Sequence, residues 1–410
     1  MTRRSGLTRR RLLLGAGAGG LALGIGRNLP AFAAGDTFRI GALNPVTGAG
    51  GPYGPGMQKM IIAAAKEVNA AGGAGGRKLE VFAEDTQTTP DAAVLAVKKL
   101  IEVNKVQAIM GTWSSGITLA IMPITTAAGI PLMCTSGASA ISTDDKADLV
   151  WRFQATVNRF GQAFAKIAAN HGFKRPATMA FNNASGIGNT EGFKTAWEAM
   201  GNKVVAQVVY EPKRPSYRSE LQQVMAANPD VIVCGSYLPD TTIFLREWYQ
   251  MGYANKWIIP GWAANSKLVD ALGNEVTEGI ISVESIANED APSYKRFADL
   301  YRKVTGGDPG ANIYASMTYD MVISFALAMV AAGADAGPGE INAKMRDVSN
   351  PGGKAVFGFE EGRAALKQGA IDYQGASSRL DFDEYGDVTP NFGESVITGG
   401  KIVRQAIVKI

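Results

Sequence analysis

The chain has 410 residues, 46% hydrophobic and 19% charged, with a formal net charge of +4. That excess sits at the start: residues 1–34 hold six arginines and no acid, so the remaining 376 residues (410 − 34) carry 4 − 6, or −2. Nucleic-acid binding, which needs a dense basic face, thereby loses its compositional support, and a histidine triad or metal site would have to be built on His171 alone.

Residues 1–34 read as an export signal. Thr8-Arg9-Arg10-Arg11-Leu12-Leu13-Leu14 precedes a Gly-diluted apolar run, Gly15 to Gly26, that ends at the small-x-small site Ala31-Phe32-Ala33-Ala34. The run is shorter than the roughly 20 residues a spanning helix needs. The arginine pair resembles a bacterial twin-arginine signal, with Leu12 and Leu14 standing where Phe and Lys are common. Arg27, just before the cleavage region, disfavours the ordinary secretion route. A mature chain starting near Gly35, outside the cytoplasm and without a lipid anchor, is expected.

Strand and helix patterns then alternate. Phe38–Leu43 is strand-like, and Met57, Met60, Ile61, Ala64, Ala65 and Val68 recur at helical spacing. Leu79–Ala83 (strand), Pro90–Glu102 (helix), Val106–Met110 (strand), Ser115–Ala128 (helix) and Ile130–Cys134 (strand) complete four strand–helix units, the pattern of a parallel sheet covered on both faces. The rhythm restarts with helix Phe160–Asn170, strand Ala177–Phe181, helix Gly192–Met200 and strand Val204–Tyr210. Helix Tyr217–Ala227, strand Val231–Cys234, helix Thr241–Met251 and strand Trp257–Pro260 follow. Ser293–Val348 is mostly helical, with Val322–Ala332 as a buried helix, and Arg379–Phe382, Ser395–Ile397 and Ile402–Gln405 read as closing strands. The fold class is α/β: two doubly wound parallel-sheet lobes. No Pro/Ser-rich linker separates them, so the joint is a hinge of close crossings. Cys134 and Cys234 fall in different lobes and are expected to be buried thiols.

Catalytic patterns are thin. His171 precedes Gly172 at a helix end, where a protonated imidazole complements the helix dipole. Gly186-Ile187-Gly188-Asn189-Thr190-Glu191-Gly192 follows a strand, and Glu211 ends the next one. This is one residue longer than a dinucleotide-binding turn and supports, as the alternative of another class, an exported NAD(P)-dependent oxidoreductase. The loops at the carboxyl ends of the first-lobe strands carry more: Thr47–Tyr53, Gly111-Thr112-Trp113-Ser114-Ser115-Gly116, and Thr135-Ser136-Gly137-Ala138-Ser139. The last two put hydroxyls and backbone N–H groups at helix starts, chemistry suited to an anion such as a carboxylate, although serines there also serve as plain N-caps.

The order Gly41-Ala42-Leu43, Gly48, Tyr53-Gly54, Glu67-Val68-Asn69-Ala70-Ala71-Gly72-Gly73, Gly111, Ser114-Ser115, Gly129-Ile130-Pro131 and Thr135-Ser136 resembles the branched-chain amino acid binding-protein family, type I periplasmic solute receptors of ABC importers. The resemblance implies a bilobed clamp, without catalysis or cofactor, that closes on a small solute and hands it to a membrane permease; a monomer is expected. It implies that Ser115, Ser139 and the backbone at Gly137 hold a ligand carboxylate, with Tyr53 and Tyr237 on the walls; Trp113, beside Ser115, offers a further flat apolar face. It further implies residues 35–156 plus 284–388 as one lobe and 157–283 plus 389–410 as the other, with crossings near 156, 284 and 389. Two departures matter. Ile187-Gly188 replaces a Tyr-Gly, and Gly261-Trp262-Ala263-Ala264 replaces the loop whose glutamate grips a ligand ammonium, unless Asp240 or Glu191 substitutes for it. An aromatic or branched apolar acid, with Trp262 in the cleft, is therefore expected ahead of an amino acid or amide.

Overall fold

In the computed structural model residues 37–410 are described; the signal reading of residues 1–34, with Arg9, Arg10 and the Ala31–Ala34 site, lies outside the described residues. Five strands build the first sheet: β1 (Thr37–Asn44), β2 (Lys78–Asp85), β3 (Ala108–Thr112), β4 (Leu132–Cys134) and β5 (Val150–Arg152). Their order is β2-β1-β3-β4-β5, parallel throughout. β3, β4 and β5 are buried along their whole length, as expected of strands covered on both faces. The helix Gly54–Ala70 buries Met57, Met60, Ile61, Ala64, Ala65 and Val68, the stripe its spacing predicts, and packs on the later helix Ile313–Ala332. The latter is apolar on every side and long enough to pass for a membrane span, but it is the buried core helix of the first lobe.

The second sheet takes β6 (Pro176–Phe181), β7 (Gln207–Tyr210), β8 (Val231–Gly235), β9 (Lys256–Pro260) and β10 (Ile281–Ser285). β11 (Lys354–Val356) and β12 (Ile371–Tyr373) form a separate parallel pair, and β13 (Phe392–Thr398) and β14 (Lys401–Val408) return to the second sheet. Its order is β14-β13-β10-β9-β8-β6-β7, parallel from β7 to β10, with β13 and β14 antiparallel. The chain therefore passes between the lobes before the helix Val157–Asn170, again after β10, and a third time before β13.

Several expectations need correction. The segment Arg379–Phe382 is not a strand: the Asn350 side chain pairs with both backbone groups of Phe382, at 2.7 and 2.9 Å, and takes the place of a neighbouring strand. The helix expected from Gly192 begins at Ala184. Gly186 and Gly188 are therefore inside a helix rather than in a phosphate-binding turn, which removes the geometry the oxidoreductase reading required. These glycines serve packing. A Cβ at Gly186 would meet Phe181 O at 2.5 Å, and one at Gly188 would meet Val157 Cγ2 at 2.5 Å. β5, β10, β11 and β12 were not anticipated.

Cys134 and Cys234 are free and buried, and burial pushes their thiols up to about 11 and about 12. His171 ends the helix Val157–Asn170, with its Nε2 2.6 Å from Glu394 Oε1 on β13. It ties a helix to the sheet, away from the cleft.

Candidate functional site

The first lobe supplies two loops. β3 ends at Thr112, and Ser114, in extended backbone, caps the helix Ser115–Ala127. Ser115 is thus the first helical residue, at the positive end of a helix dipole. Its Oγ accepts the Ala138 N–H at 3.1 Å, joining the first loop to the second. Thr118 Oγ1 completes the joint, 2.8 Å from Thr112 Oγ1 and 2.7 Å from Ser136 Oγ.

The second loop is fixed from behind by Arg152, which is 1% exposed on β5. Its Nη1 donates to Ser136 O (2.9 Å) and Ala138 O (3.0 Å), its Nε to Asp387 Oδ1 (2.7 Å) and its Nη2 to Ser142 Oγ (2.6 Å). A trans peptide holds C=O and N–H on opposite sides. Capturing the Ser136 carbonyl therefore turns the Gly137 N–H away from Arg152. Gly137 has no room for a side chain: a Cβ would stand 2.9 Å from Val157 Cγ1.

The second lobe faces these loops with rings. Tyr237 follows β8 and lies 4.9 Å from the Trp113 ring and 4.7 Å from Phe181, centroid to centroid. Trp262 follows β9, donates Nε1–H to Ser236 O (2.9 Å) and sets its ring edge-on to Phe160 at 5.0 Å. From the first lobe Tyr53 lies 5.9 Å from Trp113 and 5.0 Å from Tyr314. Hydrogen bonds cross the cleft at both ends: Tyr237 O–H donates to Ser114 Oγ (3.2 Å), and Tyr53 O–H donates to Trp262 O (3.2 Å) while accepting from Asn265 Nδ2 (2.6 Å). Burial raises the Tyr53 and Tyr237 phenols above their ordinary value, so both remain donors.

Between them is a cavity of about 20 Å³, room for roughly one water. Of the seven residues singled out in the sequence, Trp113, Ser115, Gly137, Tyr237 and Trp262 line it. Tyr53 stands at its edge and lines a neighbouring groove of about 380 Å³. Ser139 is not on the cavity wall: it opens the short helix Ser139–Asp144 and its Oγ is buried without a partner. Thr135, one turn earlier in the loop, lines the wall in its place.

Sequence reasoning missed Gln154, Phe160, Ser185 and Tyr314 on the cavity wall, and Glu284 in the groove. Only Gln154 and Glu284 had a signal, because both flank expected crossings. Burial pushes the Glu284 carboxyl up to about 7, against the hydrogen bonds it receives from Ser285 N, Tyr314 and Gln154. The two acids weighed as substitutes are elsewhere. Asp240 accepts from Tyr217 O–H (2.6 Å) and Lys213 N–H (3.0 Å), and Glu191 is exposed on the helix Ala184–Ala199.

Known proteins share this fold. A leucine-, isoleucine-, valine-, threonine- and alanine-binding protein of Pseudomonas aeruginosa is 25% identical over 329 residues, 80% of this chain and 87% of that protein. The crystal structure of a leucine-binding protein from Thermotoga maritima superposes with a TM-score of 0.77 at 22% identity, covering 91% of this chain and 99% of that one. An ABC-transporter solute-binding protein of R. palustris, solved in complex with 4-hydroxybenzoate, gives 0.74 at 21% identity, covering 91% and 97%. The fold is that of the type I periplasmic binding proteins. The periplasmic binding protein family model matches residues 37–370, and the chain belongs to that family.

Proposed function

We propose that this chain is an extracytoplasmic receptor of an ABC importer that closes on a small carboxylate with an aromatic or branched apolar body. One observation carries the reading: Ser115, at a helix N-terminus, and Gly137 meet Trp113, Tyr237 and Trp262 around a single cavity. Hydroxyl and backbone donors at a helix start suit a carboxylate, and flat rings suit an apolar body. The cavity has room for roughly one water, so a ligand enters by parting the lobes. The moving bodies in this reading are residues 35–156 plus 284–388 and residues 157–283 plus 389–410, turning about the three crossings. The cross-cleft bonds of Tyr53 and Tyr237 hold them shut around the ligand. Export by the twin-arginine route, action as a periplasmic monomer and delivery to an inner-membrane permease complete the reading. The ligands named for similar proteins, aliphatic and hydroxyl amino acids in one and 4-hydroxybenzoate in another, are carboxylates.

The test is calorimetric titration of the purified mature chain with a panel of aromatic and branched-chain carboxylates, alongside NAD and NADP. Saturable binding of a carboxylate with compaction in solution scattering is expected. Failure of every carboxylate, or stabilisation by a dinucleotide instead, overturns the reading.

A further inference from the structure

The loop after β9 has no acid, yet a carboxylate lies against it. Glu284, next to last in β10, packs on Gly261: a Cβ at Gly261 would stand 2.7 Å from Glu284 Cβ and 3.3 Å from Oε2. Glu284 Oε1 is occupied. It accepts from Gln154 Nε2 at 3.2 Å and from Ser285 N at 3.0 Å; the Ser285 hydroxyl, 3.3 Å away, lies closer to Gln154 Oε1, at 2.6 Å. Oε2 accepts one bond, from Tyr314 O–H at 3.0 Å. Each carboxylate oxygen takes about two, so Oε2 retains acceptor capacity on the side of the groove.

The position is a junction. Tyr314 lines the inner cavity and the outer groove, and its ring meets Trp113 edge-on at 6.0 Å. The ionisable groups lining the groove are Glu284, Glu289, Asp308 and Arg404, three acids to one base, with Arg404 already paired to Glu289 at 2.7 Å. Such a lining repels a carboxylate and attracts a donor. The ligand's anionic end is thereby directed to Ser115 and Gly137, and its opposite end to Glu284.

Resting on the receptor reading above, we propose that Glu284 is a specificity-determining contact, selecting carboxylates whose far end carries a hydrogen-bond donor, a hydroxyl or an ammonium, which donates to Oε2. A ligand without that donor leaves a desolvated acceptor facing carbon and binds more weakly.

Three probes of one shape decide it, titrated calorimetrically against the full mature chain: benzoate, 4-hydroxybenzoate and 4-(aminomethyl)benzoate. At least one donor-bearing probe is expected to bind roughly tenfold to a hundredfold tighter than benzoate. Glu284→Leu should abolish that preference, weakening the donor-bearing probe far more than benzoate. Glu284→Gln, which keeps an acceptor but no charge, should spare a hydroxyl preference and remove an ammonium one, so the two sources of the donor are told apart. Equal binding of all three by the wild-type chain overturns the proposal without any variant. So does an equal loss for benzoate and its partners in Glu284→Leu, the mark of a purely structural role. Binding of none of the three, nor of any other carboxylate, overturns the receptor reading itself.

Discussion

Gly261 and Glu284 are complementary in size: the carboxylate side chain on β10 fills the space that any side chain at 261 would need. The acid stands on a strand, where it is fixed by Gln154, Ser285 and Tyr314. The same enclosure that fixes it also changes its chemistry, because a partly dry carboxylate holds its proton longer.

That change gives stability a pH signature. Burial raises Glu284 from 4.5 to about 7 and Asp320, in the core helix, from 3.8 to about 6. Both native groups bind protons that the unfolded chain has already released, so their stabilising contribution is complete below about pH 4 and is lost as pH rises through 6 and 7. Each pKa unit corresponds to about 1.4 kcal/mol; together they amount to a few kcal/mol, less for Glu284 because groove water screens it. Asp85 and Glu220 are shifted the other way, and their contribution is lost only as pH falls below their ordinary values. The melting temperature should therefore decline between about pH 5 and 7.5, and Glu284→Gln should flatten that decline. A wild-type curve level across this window would remove the account.

Ser115→Ala tests the anion end. The Ser115 hydroxyl accepts from Ala138 N–H, which leaves its own hydrogen for a ligand. Removing it should weaken binding of a carboxylate by about 1.5–3 kcal/mol, roughly tenfold to a hundredfold. The Ala138 N–H is orphaned as well, so thermal stability should also fall, by about 1 kcal/mol or more. Unchanged affinity in calorimetry would take Ser115 out of the site.

Arg152 is expected to be more sensitive than its distance from the ligand implies. One guanidinium holds two loop carbonyls, Ser142 and Asp387. Arg152→Met leaves Asp387 buried and unpaired, a loss of roughly 3–5 kcal/mol, and Arg152→Lys keeps the charge but not the fork. Combining Arg152→Met with Asp387→Asn should restore part of the loss in chemical denaturation. Strictly additive losses would show that the two side chains do not act as a pair.

The strands and helices of the first lobe were legible because their periodicity is local: Pro90–Glu102 was read to the residue. The helix Ala184–Ala199 is shortened in the sequence reading because Gly186, Gly188 and Gly192 have the spacing of a dinucleotide-binding turn. Their cause is tertiary, since Gly161 and Gly192 sit where the helix Val157–Asn170 meets it too closely for any Cβ. Five of seven site residues lie on the cavity wall: Ser115 and Gly137 because strand-end loops announce themselves by glycine and hydroxyl content, Tyr237 through the family resemblance, and Trp113 and Trp262 as aromatic residues in post-strand loops. Arg152 and Glu284 did not announce themselves, because their partners, Asp387 and Tyr314, are 235 and 30 residues away. Ser139, assigned by the family resemblance, lies off the cavity wall with a buried, unpartnered hydroxyl.

The ligand-class prediction follows from where the charges are. An α-amino acid carries its ammonium one carbon from its carboxylate, so a carboxylate held at Ser115 and Gly137 needs a counter-charge close by. The loop after β9 offers Gly261, Trp262, Ala263 and Ala264; Asp240 is held by Tyr217 and Lys213, and Glu284 lines the groove and not the cavity that Ser115 lines. A buried cation without a partner costs several kcal/mol, enough to cancel most of what the rings contribute. An aromatic acid has no such cation and presents flat faces to Trp113, Tyr237 and Trp262. Ligand at about a hundred times its dissociation constant stabilises a protein by about 2.7 kcal/mol, a readily measured rise in melting temperature. At equal concentration, hydroxylated or aminated benzoates should raise it more than leucine, isoleucine or valine. A dominant shift with leucine, undiminished in Glu284→Gln, would mean that a counter-charge is supplied by a group this geometry does not identify.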